Sequence, residues 1–372
     1  MIIGCPKEIK NKEFRVGITP STALELVRNG HKVLIQEGAG VGAGFSDDEY
    51  INSGCFIVSD AKNIFSQAEM IVKVKEPQKE EILMLKEDQI LFTYLHLAAD
   101  LEQTIGLMKS GVKAVAYETI TDSRGGLPLL APMSEVAGRL APQVGSWAMQ
   151  KANGGCGKLL GGVPGVEPAK VTVIGGGMVG TNAAKVAAGM GADVTVLDRS
   201  IDRMRYLDDV YGGIFKTAYA DAQTTERMCR ESDLIIGAVL IPGAAAPKLL
   251  TKEQLLELKP GSVLVDVAID QGGCFETSRA TTHDNPIYII DNIVHYCVAN
   301  MPGAVAQTST KALNNATLPF MLQIANFGLE DAISKNEHLK NGLNIYKGKV
   351  TYKAVKEAFL DDDRVQYMDY LI

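Results

Sequence analysis

Residues 171–180 read VTVIGGGMVG, and residues 181–192 continue TNAAKVAAGMGA. A β-branched apolar run gives way to small and apolar residues at helical spacing, so the stretch reads as strand, tight turn and helix. Gly175, Gly177 and Gly180 stand across that turn in the order G-x-G-x-x-G. Gly175 permits the sharp turn, Gly177 lets a pyrophosphate approach the backbone, and Gly180 lets the helix lie close on the strand, its N-terminus attracting the anion. Alone, such a pattern is often a surface loop. Here the next apolar run, 193–197, ends at Asp198, 18 residues beyond Gly180, where the acceptor of the ribose hydroxyls of a dinucleotide belongs. A carboxylate there repels a 2′-phosphate, which points to NAD rather than NADP despite the adjacent Arg199.

Outward from this unit the same rhythm continues. Strands are expected near 171–174, 193–197, 233–237, 262–267 and 287–290, and upstream at 32–36 (KVLIQ), 70–74 (MIVKV), 90–95 (ILFTYL) and 113–117 (KAVAY). Helical patterns separate them, the arrangement of parallel sheets with helices on both faces. Asp100 and Gln103 have capping-box spacing before a helix at 101–110. Residues 134–152 read as a connecting helix interrupted or kinked at Pro142, followed by a glycine-rich loop at 154–166. A long helix within 303–330, despite Pro319, would carry the chain back to the first lobe, on which the mixed-charge residues 345–372 would pack. The expected fold class is α/β: two doubly wound Rossmann-like domains with parallel sheets, separated by a cleft and linked by long helices.

Composition limits the partners. The chain has 372 residues, enough for two cores, and its 46% hydrophobic and 22% charged content is that of an ordinary globular protein. With 37 Lys and Arg against 44 Asp and Glu the formal charge is -7, so no basic field gathers nucleic acid or anionic membrane. The six cysteines lack CxxC or zinc-like spacing and read as reduced and buried, with no metal site. No leader pattern and no run of about 18 apolar residues occurs, so cytoplasmic residence without a membrane span is expected.

Ligands of parallel sheets gather beyond the carboxyl ends of the strands. Lys75 follows the 70–74 run, His96 the 90–95 run and Asp270 the run that contains Val263, Val265 and Val267, so all three would face one cleft if the lobes face each other. His96 suits acid or base work near neutral pH, although a structural histidine fits its apolar setting as well. Lys75 could equally be a solvated charge, with Lys73 on the same face; Asp266 is the alternative acid to Asp270, and either could serve a turn. Arg15 sits in an early charged loop where a surface arginine is the plain reading, yet its planar fork is what a carboxylate substrate wants.

Together EFRVGITP, KVKEP, LFTYLHLAAD, APMSEVAGR, VIGGGMVGTNAAK, IGAVLIPGAAAPKL, VDVAIDQGGCFETSR, VHYCVANMPGAV and the TST near 310 resemble bacterial alanine dehydrogenase, in order and across nearly the whole chain. Shorter pieces are shared with the NAD-binding subunit of proton-pumping transhydrogenase. The resemblance implies a substrate domain of residues 1–128 plus 307–372 and an NAD-binding Rossmann domain of 129–306. It implies His96 as proton donor and acceptor, Arg15 and Lys75 as holders of pyruvate or alanine, and Asp270 as the second catalytic group. Cofactor contacts carry over to Ser134, Met178, Val179, Asp198, Val239, Leu240, the turn Val267, Ala268, Ile269 and Asp270, Arg279, and the turn Val298, Ala299, Asn300 and Met301. The ordinary alternatives are that Ser134 only caps its helix and that the apolar members only fill the core. A homohexamer is also implied. Two positions depart from the family: Ala220 where a serine commonly contacts the adenosine, and Gln307 where a basic residue is usual.

The activity so implied is NAD-dependent oxidation of L-alanine to pyruvate and ammonium, and its reversal. Proton shuttling at several steps suits His96, charge on the carboxylate and developing carbonyl suits Arg15 and Lys75, and water orientation suits Asp270. A soluble transhydrogenase subunit would need a membrane partner and show no alanine-dependent turnover. A non-enzymatic NAD sensor would have no reason to gather these four residues at strand ends.

Overall fold

Short apolar runs pair into two separate sheets in the computed structural model, which describes residues 1–239 and 246–369. In chain order the strands are β1 (Ile2–Cys5), β2 (Lys32–Gln36), β3 (Phe56–Val58), β4 (Met70–Val72), β5 (Ile90–Thr93) and β6 (Lys113–Ala116). There follow β7 (Lys170–Ile174), β8 (Asp193–Asp198), β9 (Lys216–Tyr219), β10 (Leu234–Gly237), β11 (Val263–Asp266), β12 (Ile287–Ile290) and β13 (Ile293–Tyr296). The last two are β14 (Leu343–Tyr346) and β15 (Lys349–Val350).

The chain divides into one unit of Met1–Met133 with Val305–Ile372 and a second of Ser134–Ala304. The first sheet runs β15-β14-β6-β5-β4-β1-β2-β3 and the second β12-β13-β11-β10-β7-β8-β9. The strands are parallel from β3 to β6 and from β13 to β9, but β14 and β15 are added antiparallel on the first sheet and β12 on the second. The expected parallel sheets are present, each with an antiparallel addition at one edge. For β12 beside β13 and β15 beside β14 the cause is local: Asp291 and Asn292, and Lys347 and Gly348, all have positive φ. Two left-handed residues make the turn that folds a strand straight back on its neighbour, with no need of a crossover helix.

In the first unit, side chains on a strand alternate between two cores. Val33, Ile35, Val72, Phe92 and Val115 enter one cluster, and Leu34, Ile71, Leu91, Ala114 and Ala116 the other. Both faces are covered, which is why these strands read as continuous apolar runs. Each fully buried Leu, Ile or Phe contributes roughly 1.5–3 kcal/mol to the unit. In the second unit Ile174, Leu197, Ile235 and Leu264 fill one face of the sheet.

The helix Leu101–Ser110 begins where Asp100 accepts the amide of Gln103 at 3.0 Å and stops at left-handed Gly111. The connecting helix is Ala131–Ala148, earlier at both ends than 134–152, and it holds Pro142 internally. Its start at Ala131 leaves Ser134 inside the first turn, so Ser134 is not its N-cap. The later long helix is Ala306–Phe327, with Pro319 inside. Strands β4, β5 and β6 end before the apolar runs do, so Val74 and Tyr94 to His96 leave their ladders. Those departures build the site.

Candidate functional site

In the first unit β4 and β5 lie side by side with Val72 opposite Phe92. Beyond their ends the chains stay tied: the amide of Tyr94 donates to the carbonyl of Val74 at 3.3 Å, and the Thr93 hydroxyl to the carbonyl of Lys75 at 3.0 Å. Lys75 and the Tyr94–His96 turn are therefore neighbours. The two lysines of this stretch have different settings. Lys73 is wholly buried, its Nζ 3.0 Å from Glu8 Oε2 and 2.8 Å from Glu81 Oε1. Burial opposes its charge, but the two carboxylates more than offset this and hold the ammonium above the ordinary lysine value. Glu8 also accepts the amides of Val74 at 2.7 Å and Lys75 at 3.4 Å. Lys75 is only half-buried.

Arg15 is 2% exposed, so the surface-arginine reading fails. Glu13 grips one edge of its guanidinium, with Nε at 2.7 Å and Nη2 at 2.6 Å, while Nη1 lies 3.1 Å from the Met133 sulfur. Burial penalises the guanidinium charge, and Glu13 overcomes that penalty. The charge is fixed in direction before any substrate arrives, which is how an anion-binding arginine gains from pre-organisation.

His96 has φ 51°, ψ 37°, the left-handed region that a β-carbon disfavours, at a cost of about 1–3 kcal/mol that the surroundings must hold. Glu118, just after β6, supplies the restraint: its carboxylate accepts the His96 amide at 2.6 Å and the Leu95 amide at 3.1 and 3.2 Å. Nδ1 of His96 lies 4.0 Å from Glu118 Oε1, and the imidazole stacks on Tyr94 with 5.9 Å between centroids and 7° between planes. Its side chain is 48% exposed. Tyr94 in turn packs edge-on against Tyr117 and donates its hydroxyl to the carbonyl of Leu129 at 2.5 Å. Burial raises the Tyr94 phenol well above its usual range, so it stays a neutral donor.

In the second unit the three glycines meet three different constraints. Gly175 has φ 103°; a β-carbon at Gly180 would lie 1.7 Å from the Gly175 carbonyl oxygen; and one at Gly177 would meet nothing within 4 Å. The turn, the close packing and the open approach are thus each visible. The helix Met178–Gly189 that follows has no side-chain cap on its first amides. Oδ2 of Asp198 accepts the amide of Gly176 at 2.6 Å and Oδ1 that of Ser200 at 2.8 Å. Arg203, which the sequence reading did not single out, donates to the Gly176 carbonyl at 2.6 Å and to Thr181 at 2.8 Å. An open glycine turn, uncapped amides and an acid at the next strand end fit the pyrophosphate and ribose of a dinucleotide.

Asp266 and Asp270 separate cleanly. Asp266 is buried and accepts the Ala268 and Cys274 amides at 3.1 and 2.7 Å and the Ser278 hydroxyl at 2.5 Å. Burial outweighs these donors and raises its carboxyl. It organises the turn of Val267 to Asp270, in which Asp270 is exposed. Arg279 stacks over Tyr288 at 4.2 Å, and Tyr288 stacks on His295 at 4.8 Å. In the Val298–Met301 turn, Asn300 has φ 63° while Val298 and Met301 are buried. Ser134 is half-buried, Met178 exposed, Val179 buried and Val239 half-buried; Leu240 lies outside the described residues. The amide of Ala220 donates to the backbone carbonyl of Asp198 at 2.9 Å, and Gln307 lies exposed in the first turn of the Ala306–Phe327 helix.

The sequence reading missed Glu8, Glu13, Glu118 and Arg203. Only Glu13, two residues before Arg15, carried a local signal; the others act across 65 residues of chain in the Glu8–Lys73 pair, 22 in Glu118–His96 and 27 in Arg203–Gly176. All six cysteines are unpaired, five of them buried and Cys156 half-buried. Among the described residues no cluster of His, Cys, Asp and Glu is arranged to hold a metal ion, and no helix is long and apolar enough to cross a membrane.

Residues 4–137 match the family described as alanine dehydrogenase/PNT, N-terminal domain, and residues 141–353 its C-terminal domain. An alanine dehydrogenase of Halomonas elongata is 60% identical over 359 residues, 96% of this chain and 97% of its own. A solved L-alanine dehydrogenase superposes with a TM-score of 0.94 at 49% identity, covering 97% of this chain and 99% of the other. A transhydrogenase structure from Sinorhizobium meliloti superposes at 0.81 with 23% identity over 95% of this chain and 100% of its own, a likeness of fold alone.

Proposed function

The chain belongs to the alanine dehydrogenase family, and from that premise we propose that it oxidises L-alanine to pyruvate and ammonium with NAD and runs the reverse reductive amination. The observation that carries the reading is the convergence at neighbouring strand ends of Lys75 and an exposed, left-handed His96 stacked on Tyr94.

Bound NAD supplies the acceptor for the hydride that leaves the α-carbon. Arg15, its direction set by Glu13, fixes the substrate carboxylate. Lys75 places a second positive charge against the carbonyl oxygen as it develops. His96 takes a proton from the attacking water at a ring nitrogen and returns it to the departing amine, a task its exposure allows. Asp270 orients that water and favours the cationic imine of the substrate. Gly175, Gly177, Gly180 and the amides of Met178 and Val179 would hold the pyrophosphate, and Asp198 the adenosine ribose. Ser134, Val239, Leu240, Val267, Ala268, Ile269, Arg279, Val298, Ala299, Asn300 and Met301 would line the rest of the dinucleotide. Cytoplasmic residence and a homohexameric assembly belong to the same proposal.

One assay tests it: purified protein alone, given NAD and L-alanine, forms NADH. Absence of alanine-dependent NADH from folded, NAD-binding protein overturns the reading, and sedimentation reports the subunit number.

A further inference from the structure

We propose that Glu118 is a positioning residue for the reaction, acting through the backbone of His96. The inference rests on the assignment of His96 as the proton-transfer group. A left-handed histidine does not hold itself: with a β-carbon, the right-handed and extended regions lie lower, and nothing in the sequence around Leu95-His96-Leu97 supplies a glycine to absorb the turn. The carboxylate of Glu118 receives both amides of that turn, His96 at 2.6 Å and Leu95 at 3.1 and 3.2 Å. Both bonds are charge-assisted and converge on a side chain only 16% exposed.

The geometry makes the backbone the handle. Oε1 of Glu118 is 2.6 Å from the His96 amide but 4.0 Å from Nδ1, so the carboxylate bonds the main chain and not the ring. The ring is left about half exposed and stacked on Tyr94. Freed of the clamp, residue 96 would relax toward an ordinary φ and swing the imidazole off Tyr94. Glu118 itself is fixed because it follows β6, the neighbour of β5, in register.

Three variants test this in the intact enzyme. Glu118→Ala removes both acceptors and should lower kcat about tenfold or more. KM for NADH should change little, Tm should fall no further than the loss of two local hydrogen bonds explains, and amide exchange should rise in the peptide spanning Leu95 and His96. Glu118→Gln keeps a carbonyl oxygen at the Oε1 position, where it can accept both amides, and should recover most of the lost kcat and of the exchange protection. His96→Ala is the reference for the underlying assignment. Normal kcat in Glu118→Ala beside a large loss in His96→Ala overturns the positioning role. So does a Glu118→Gln variant as slow as Glu118→Ala, which would assign the effect to charge, or a parallel fall of Tm and NADH affinity in Glu118→Ala, which would make the residue merely structural. Normal kcat in His96→Ala instead overturns the assignment on which the proposal rests.

Discussion

Oδ2 of Asp198 accepts the amide of Gly176 at 2.6 Å, so the acid at the end of β8 holds the glycine turn at the end of its neighbour β7. The residue that would select the ribose also braces the loop that would cradle the phosphates. Replacing Asp198 with Ala should therefore do two things at once. The preference in kcat/KM for NAD over NADP should narrow by about tenfold or more, as expected for losing one charge repulsion. Stability should fall by about 1–3 kcal/mol for the two lost bonds, to the amides of Gly176 and Ser200. Steady-state kinetics with both cofactors and a urea titration check the pair; an unchanged cofactor ratio would remove Asp198 from the ribose site.

Arg15→Lys keeps the charge but loses the fork that Glu13 grips. The expected cost is on the order of 1–3 kcal/mol in kcat/KM for pyruvate. Arg15→Met is worse, because it takes the guanidinium away from the buried Glu13 carboxylate altogether, and it should lower the stability of the fold as well. Pyruvate kinetics within twofold of wild type in both Arg15→Lys and Lys75→Ala would place the carboxylate elsewhere.

His96→Ala should reduce kcat by about 10² to 10⁴, the usual share of acid and base catalysis. Because the side chain is 48% exposed, little packing is lost and Tm should hold. Asp270→Asn, also exposed, should behave alike. Turnover and NADH titration separate this outcome from a stability defect.

Lys73 differs from Lys75 in kind. Lys73→Met should cost about 3–5 kcal/mol by leaving Glu8 and Glu81 buried without a counter-charge, whereas Lys75→Ala should cost rate. The Lys73 ammonium is held above the ordinary value of 10.5, so its contribution is fully present below that pH and lost as pH rises beyond it. Denaturant curves should show a constant gap between wild type and Lys73→Met from neutral pH to about 10, closing at higher pH.

The glycine turn after β7 was legible because its constraints act on the backbone within a few residues: only glycine meets φ 103° at Gly175 or the 1.7 Å approach at Gly180. Helix starts such as Asp100 with Gln103 are legible for the same reason. What escaped depends on distant partners. Strand β3 (FIV) is too short to show alternation, and β9 (KTAY) carries little apolar signal. The hairpin turns at Asp291-Asn292 and Lys347-Gly348 had recognisable chemistry that the strand pattern overshadowed. His96 could be nominated by position, but its left-handed backbone and its dependence on Glu118 could not, since a glutamate 22 residues away gives no local sign of where its oxygens go.

The first sheet is finished only by strand β14, which lies beside β6 with Leu343 opposite Val115. On the ribosome this sets an order of assembly. Residues 134–304, contiguous, emerge with every partner of their own sheet and can fold while synthesis continues, but β6 waits through their whole translation for the strand that covers its edge. A polysome arrested before residue 343 would thus carry a finished second unit and, in the first, an open sheet edge, the kind of edge that recruits chaperones or a second nascent chain.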